Sequence, residues 1–228
     1  MLRNLLVFIL ILLFNVSCEF TSPEEYYYLG AEQVEKGNYQ QAIELFNKAI
    51  QRRQKFRPAL LQRGFCEIQL ERDAEAIKDF ESILNFDSDN TLALFNLGNC
   101  YYNLSEFDKS IQFYSQALNT EGALSSESIQ VNLRLIGDID NDSNYSLYKN
   151  EIRFGRATSY FKNDEFEKAI QDFEKVLNTN YRKAECYFWI GHSFMGLNDS
   201  IQACHYFKVS ANLGFEESKE EINRVCYD

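Results

Sequence analysis

Histidine and cysteine are the residues through which this chain could most readily do chemistry, and they are few. Only His192 and His205 occur in 228 residues, and both fall near Cys186 and Cys204. Those four are zinc-type donors, but their spacing matches no zinc motif, and Cys204 and His205, being adjacent, point apart on a helix. Asp138, Asp140 and Asp142 alternate as at the start of a calcium loop. Such a loop needs a turn glycine and a closing bidentate Glu, and here Ser143 and Lys149 occupy those places. No Cys-x-x-Cys occurs and no Gly-rich phosphate loop follows a strand. These residues predict a non-enzyme without cofactor or metal. One alternative keeps an enzyme or metal site built by residues 119–146. Among the cysteines, Cys66 and Cys100 stand 34 apart and are expected to be free. A bridge among Cys186, Cys204 and Cys226 is allowed by the count, but spacing does not assign it.

A formal net charge of -11 repels phosphate backbones, so nucleic acid is excluded as a partner. With 45% hydrophobic residues, the chain has the material for a core. Its first 17 residues have the build of an export signal. Arg3 precedes the apolar run Leu5–Phe14, which is too short to span a bilayer. The run ends in Asn15-Val16-Ser17-Cys18. This end resembles a bacterial lipoprotein signal, although Asn15 stands where a Leu-like residue is usual. The resemblance implies lipid on Cys18, a tether over 18–23, and membrane contact only through that anchor. An ordinary secretory signal, cut near Ser17 or Cys18, is the alternative.

The elements that must position any site are written in a repeat. Gly30, Gly64 and Gly98 lie 34 apart, as do Ala157 and Gly191; the gap from Gly98 to Ala157 is 59, which is 34 plus 25. Ala42, Ala76, Ser110, Ala169 and Ala203 keep the same intervals, and so do Phe46, Phe80, Tyr114, Phe173 and Phe207. A small residue lets two helices approach, and a large ring four residues after the second small column fills the gap beside it. With units such as Leu97-Gly98-Asn99-Cys100-Tyr101-Tyr102, followed by Phe107, Ile111, Tyr114 and Ala117, the chain resembles tetratricopeptide repeat proteins. The resemblance implies an all-α, right-handed superhelical solenoid of about five helix-turn-helix units. Units 1–3 span 24–118, an insertion spans 119–146, units 4–5 span 147–213, and a capping helix spans 214–228. Ser22-Pro23-Glu24-Glu25 is predicted to open the first helix and Gly37-Asn38 to break it; Asn90 and Ser105 are predicted N-caps.

One pair of columns varies together. Leu29, Arg63, Leu97, Arg156 and Ile190 precede the small residues; sixteen later stand Leu45, Asp79, Phe113, Asp172 and Tyr206. Apolar goes with apolar and Arg with Asp, which predicts partly buried structural ion pairs Arg63–Asp79 and Arg156–Asp172. In the insertion, Ile129, Val131, Leu133 and Leu135 alternate as in a strand, while Ile129, Leu133 and Ile136 also share a helical face; both readings stay open.

By the same resemblance, the first helix of each unit lines a concave groove. Carried over, this gives Tyr27, Phe65, Phe95, Asn99 and Tyr102 in the first three units, and Phe154, Phe161, Phe188 and His192 in the last two. The lining is apolar and aromatic, suited to a protein or peptide partner, although the same rings could serve packing between neighbouring helices. Tyr27, Leu61 and Phe95 occupy columns where some family members carry a basic grip on a peptide carboxylate, which argues against a chaperone-tail binder. The expected role is an envelope scaffold; a third reading is a subunit that self-associates through exposed solenoid ends.

Overall fold

The computed structural model describes residues 21–124 and 147–226. The signal region with Cys18, and the residues Ile129 to Asp142 discussed above, lie outside the described residues. Five helical hairpins follow one another: α1 (Pro23–Glu35) with α2 (Tyr39–Arg52), α3 (Arg57–Gln69) with α4 (Asp73–Leu84), and α5 (Thr91–Asn103) with α6 (Phe107–Ala117) come first. Then come α7 (Lys149–Lys162) with α8 (Phe166–Leu177), and α9 (Lys183–Gly196) with α10 (Ser200–Asn212); α11 (Glu217–Val225) closes the stack.

Each hairpin closes on a ring set against a small residue, glycine in four units and Ala157 in the fourth. A Cβ on Gly30 would lie 2.6 Å from the Phe46 ring, and one on Gly64 equally close to Phe80. Gly98 meets Tyr114 and Gly191 meets Phe207 in the same way. Phe46, Phe80, Phe173 and Phe207 are fully buried, so the repeat columns are the core of the solenoid. Helix starts follow local chemistry: Ser22 Oγ accepts from the Glu25 amide at 3.0 Å, and Asn90 Oδ1 from the Ala93 amide at 2.8 Å.

The turns inside the units hold a feature not anticipated above. Gly37, Glu71, Ser105, Asp164 and Asn198 all have left-handed backbone, with φ between 58° and 74°. They keep the repeat spacing. The next amide reaches back to a carbonyl five residues earlier in each case, as Arg72 N does to Glu67 O at 2.8 Å. This is the Schellman closure of a helix. Ser105, expected as an N-cap, is instead this left-handed residue; Glu106 precedes α6, and no side chain caps it. Left-handed backbone costs an L-residue about 1 kcal/mol, and only the first unit uses glycine there. Glu71→Gly and Asp164→Gly should therefore each raise stability by roughly 0.5–1 kcal/mol. A urea midpoint that fell instead would show that the side chain, not the backbone, governs these turns.

The insertion leaves the stack continuous. Its ends meet in a two-residue parallel pairing, β1 (Ala123–Leu124) against β2 (Leu147–Tyr148). Ala123 and Leu147 are buried with Leu94, Tyr114 and Ile152, so the ends of the interruption join the core. Across this junction Gly155 of α7 rests on the Tyr114 ring, and Ser110 Oγ meets Ser159 Oγ at 2.8 Å.

Arg63 grips Asp79 with two nitrogens, Nε at 2.8 Å from Oδ2. Arg156 grips Asp172 likewise, at 2.6 and 3.1 Å. Both carboxylates are buried, at 3% and 2% exposure. Each guanidinium has a third nitrogen, and it reaches into the preceding unit: to Asn47 from Arg63 at 2.5 Å, and to Ser115 from Arg156 at 3.0 Å. Asn47 and Ser115 occupy one repeat column, directly after the buried ring. The pair thus couples neighbouring units as well as the two helices of its own. Donating hydrogen bonds to Asp79 holds the Arg63 guanidinium further inside its charged range, while burial pushes the Asp79 carboxyl up.

Candidate peptide-binding groove

The first helices α5, α7 and α9 face a common hollow of about 320 Å³. From α5 come Phe95, Asn99 and Tyr102, with Tyr114 of α6 behind them. Gly155 gives room for the Tyr114 ring, whose hydroxyl donates to Asn99 Oδ1 at 2.5 Å. From α7 come Glu151, Phe154 and Thr158. The last wall is α9 and the turn before it, with Tyr181, Arg182, Glu185 and Trp189. Arg182 sits in left-handed backbone, which carries its guanidinium over the Phe154 ring at 4.3 Å. The same guanidinium pairs with Glu185, at 2.7 Å from Nε and 3.0 Å from Nη2. Burial pushes the Glu151 carboxyl up, against the weaker pull of Arg182.

Four of the nine expected groove residues, Phe95, Asn99, Tyr102 and Phe154, meet here. Tyr27 does not: it is a core residue, 7% exposed and packed on Phe46 of its own unit and on Phe56 at the start of the next. Phe65 is 40% exposed and lies edge-on to Tyr39, outside the hollow. Phe161, Phe188 and His192 do not line the hollow; they form an adjoining aromatic cluster with Phe207 that shares Trp189 with it. Part of that cluster is covered by the cap, through Phe215 on Phe188 and Glu221 near His192. Burial there pushes His192 below its usual range, and Glu221 at 3.9 Å opposes this only in part. Glu151 and Glu185 stand at the repeat spacing from Glu24, Pro58 and Leu92, three residues before Tyr27, Leu61 and Phe95, so the repeat itself marks their place on the first helices. Arg182 has no such signal, since its place depends on a single left-handed turn.

The cysteines have no part in the hollow. Cys204 is bonded to Cys226, so it is not free to join His192, His205 and Cys186 as a zinc ligand. Cys66, Cys100 and Cys186 are buried thiols; burial pushes Cys66 and Cys186 up to about 12 and Cys100 in the same direction.

Such a stack of helical hairpins, with first helices lining a shared face, defines a solenoid of the kind that presents an extended surface to other proteins. Its repeats resemble the tetratricopeptide type: residues 23–56, 91–120 and 151–181 each match a tetratricopeptide repeat model. The architecture is all-α, right-handed and superhelical, as in solved proteins of that type. MamA of Desulfovibrio magneticus RS-1 superposes with a TM-score of 0.68 at 11% identity, covering 84% of this chain and 94% of that one. YrrB, described as a TPR protein with an unusual peptide-binding site, gives 0.66 at 13% identity, covering 88% and 91%. PilF of Pseudomonas aeruginosa gives 0.62 at 16% identity, covering 85% and 77%. These are likenesses of fold. By sequence, the peroxisomal targeting signal receptor of Candida albicans is 24% identical over 213 residues, 85% of this chain. The chain spans 36% of that relative's length. Proteins of this architecture are typically scaffolds for protein–protein interaction.

Proposed function

We propose that this chain is a non-catalytic adaptor of the cell envelope, held to a membrane by lipid on Cys18, which grips a segment of a partner protein in its concave groove. The hollow of Phe95, Tyr102, Phe154 and Trp189 carries this reading, because aromatic anchors facing one opening on stacked first helices are what a peptide segment needs. The Cys204–Cys226 bridge supports export, since structural disulfides persist in oxidising compartments.

Affinity capture from native membranes tests both parts. Wild type should recover a partner that a Phe95→Ala, Trp189→Ala variant loses, and Cys18→Ser should move the protein from the membrane to the soluble fraction. Equal recovery by the two proteins would remove the groove; unchanged fractionation would remove the anchor.

A further inference from the structure

We propose that the hollow between the third, fourth and fifth units takes the side chain of a lysine or arginine from an extended segment of a partner protein, with the Glu151 carboxylate as its counter-charge. This rests on the groove reading above and adds the chemistry of the anchor. The hollow contains two carboxylates, Glu151 and Glu185, and one guanidinium, Arg182. Arg182 is committed to Glu185 by two contacts and to the Phe154 face by a third. Glu151 is thereby left as a half-buried carboxylate that accepts no hydrogen bond among the described residues, with only the field of Arg182 to offset its lost water.

An ammonium or guanidinium entering the hollow would supply the missing partner. The rings of Phe95, Tyr102 and Trp189 border the same space, and aromatic faces attract a cation. An acidic side chain would meet two carboxylates there. An apolar one would fill the volume but leave Glu151 desolvated and alone. At about 320 Å³ the hollow lies at the small end of ligand pockets, which suits one long side chain rather than a folded element. The net charge of -11 favours the approach of a basic segment over long range.

The test uses end-capped decapeptide pools with randomised flanks and one central position fixed as lysine, arginine, norleucine or glutamate, passed over the immobilised full chain. Norleucine keeps the length of lysine without its charge. The lysine and arginine pools should be retained about tenfold better than norleucine, and Glu151→Gln should abolish that margin. Glu151→Gln should melt at or above the wild-type temperature, because it removes a half-buried charge. Equal retention of lysine and norleucine, or a margin unchanged in Glu151→Gln, overturns the cationic anchor while leaving peptide binding intact. Retention of no pool above bare resin overturns the groove reading, and the anchor with it.

Discussion

Replacing Arg63 by Met should lower the stability of the chain by about 3 kcal/mol, the low end of what breaking a buried ion pair costs. Asp79 is 3% exposed, and Arg63 supplies its two hydrogen bonds. Its removal strands a carboxylate away from water and also frees Asn47 in the preceding unit. Arg63→Met combined with Asp79→Leu should recover most of the loss. The same site accepts an apolar pair in the third unit, where Leu97 is buried and Phe113 packs against its cluster. The equivalent Arg156→Met should cost less, because Lys175 stays within 3.2 Å of Asp172. Chemical denaturation of the four proteins checks this. If the Arg63 single and double variants have the same midpoint, the pair is not what holds these helices.

Breaking the Cys204–Cys226 bridge is expected to be the other large effect. The bond closes a 22-residue separation, and constraining an unfolded loop of that size stabilises by roughly 3 kcal/mol. The consequence should be local. A solenoid unit touches only its neighbours, and α11 packs on α10. Other ties between cap and stack are the Ser218 hydroxyl donating to Ser210 Oγ at 2.8 Å and the Phe215 ring on Phe188. Cys226→Ser should speed hydrogen exchange in α11 and beside Phe188 and His192, while α1 to α6 exchange as before. Exchange that rises evenly along the chain would mean that the stack unfolds as one cooperative body.

The hairpins were legible because each obeys a local rule that survives in one dimension. Glycine at 30, 64 and 98, and a ring sixteen residues later, recur at a fixed interval whatever their neighbours do. The Arg63–Asp79 and Arg156–Asp172 columns were legible for the same reason, since charge in one helix must answer charge in the other. The left-handed turns were harder to see: Glu71, Ser105 and Asp164 are ordinary surface residues, and the hydrogen bonds on either side impose the strain. Asn47 and Ser115 follow the repeat as well, but their meaning appears only when a third guanidinium nitrogen is found pointing at them.

By itself, then, the sequence determined the hairpin unit, its count and its small-against-large packing, because those depend on residues within one period. Tertiary structure alone decided which aromatic rings face an opening. Tyr27 and Phe95 share a column, yet one is packed on Phe46 and Phe56 and the other lines the hollow, since a ring's surroundings depend on which side chains of the adjoining elements meet it. The same holds for Arg182, placed by one left-handed residue, and for the partner of Cys204, chosen by where the cap folds back.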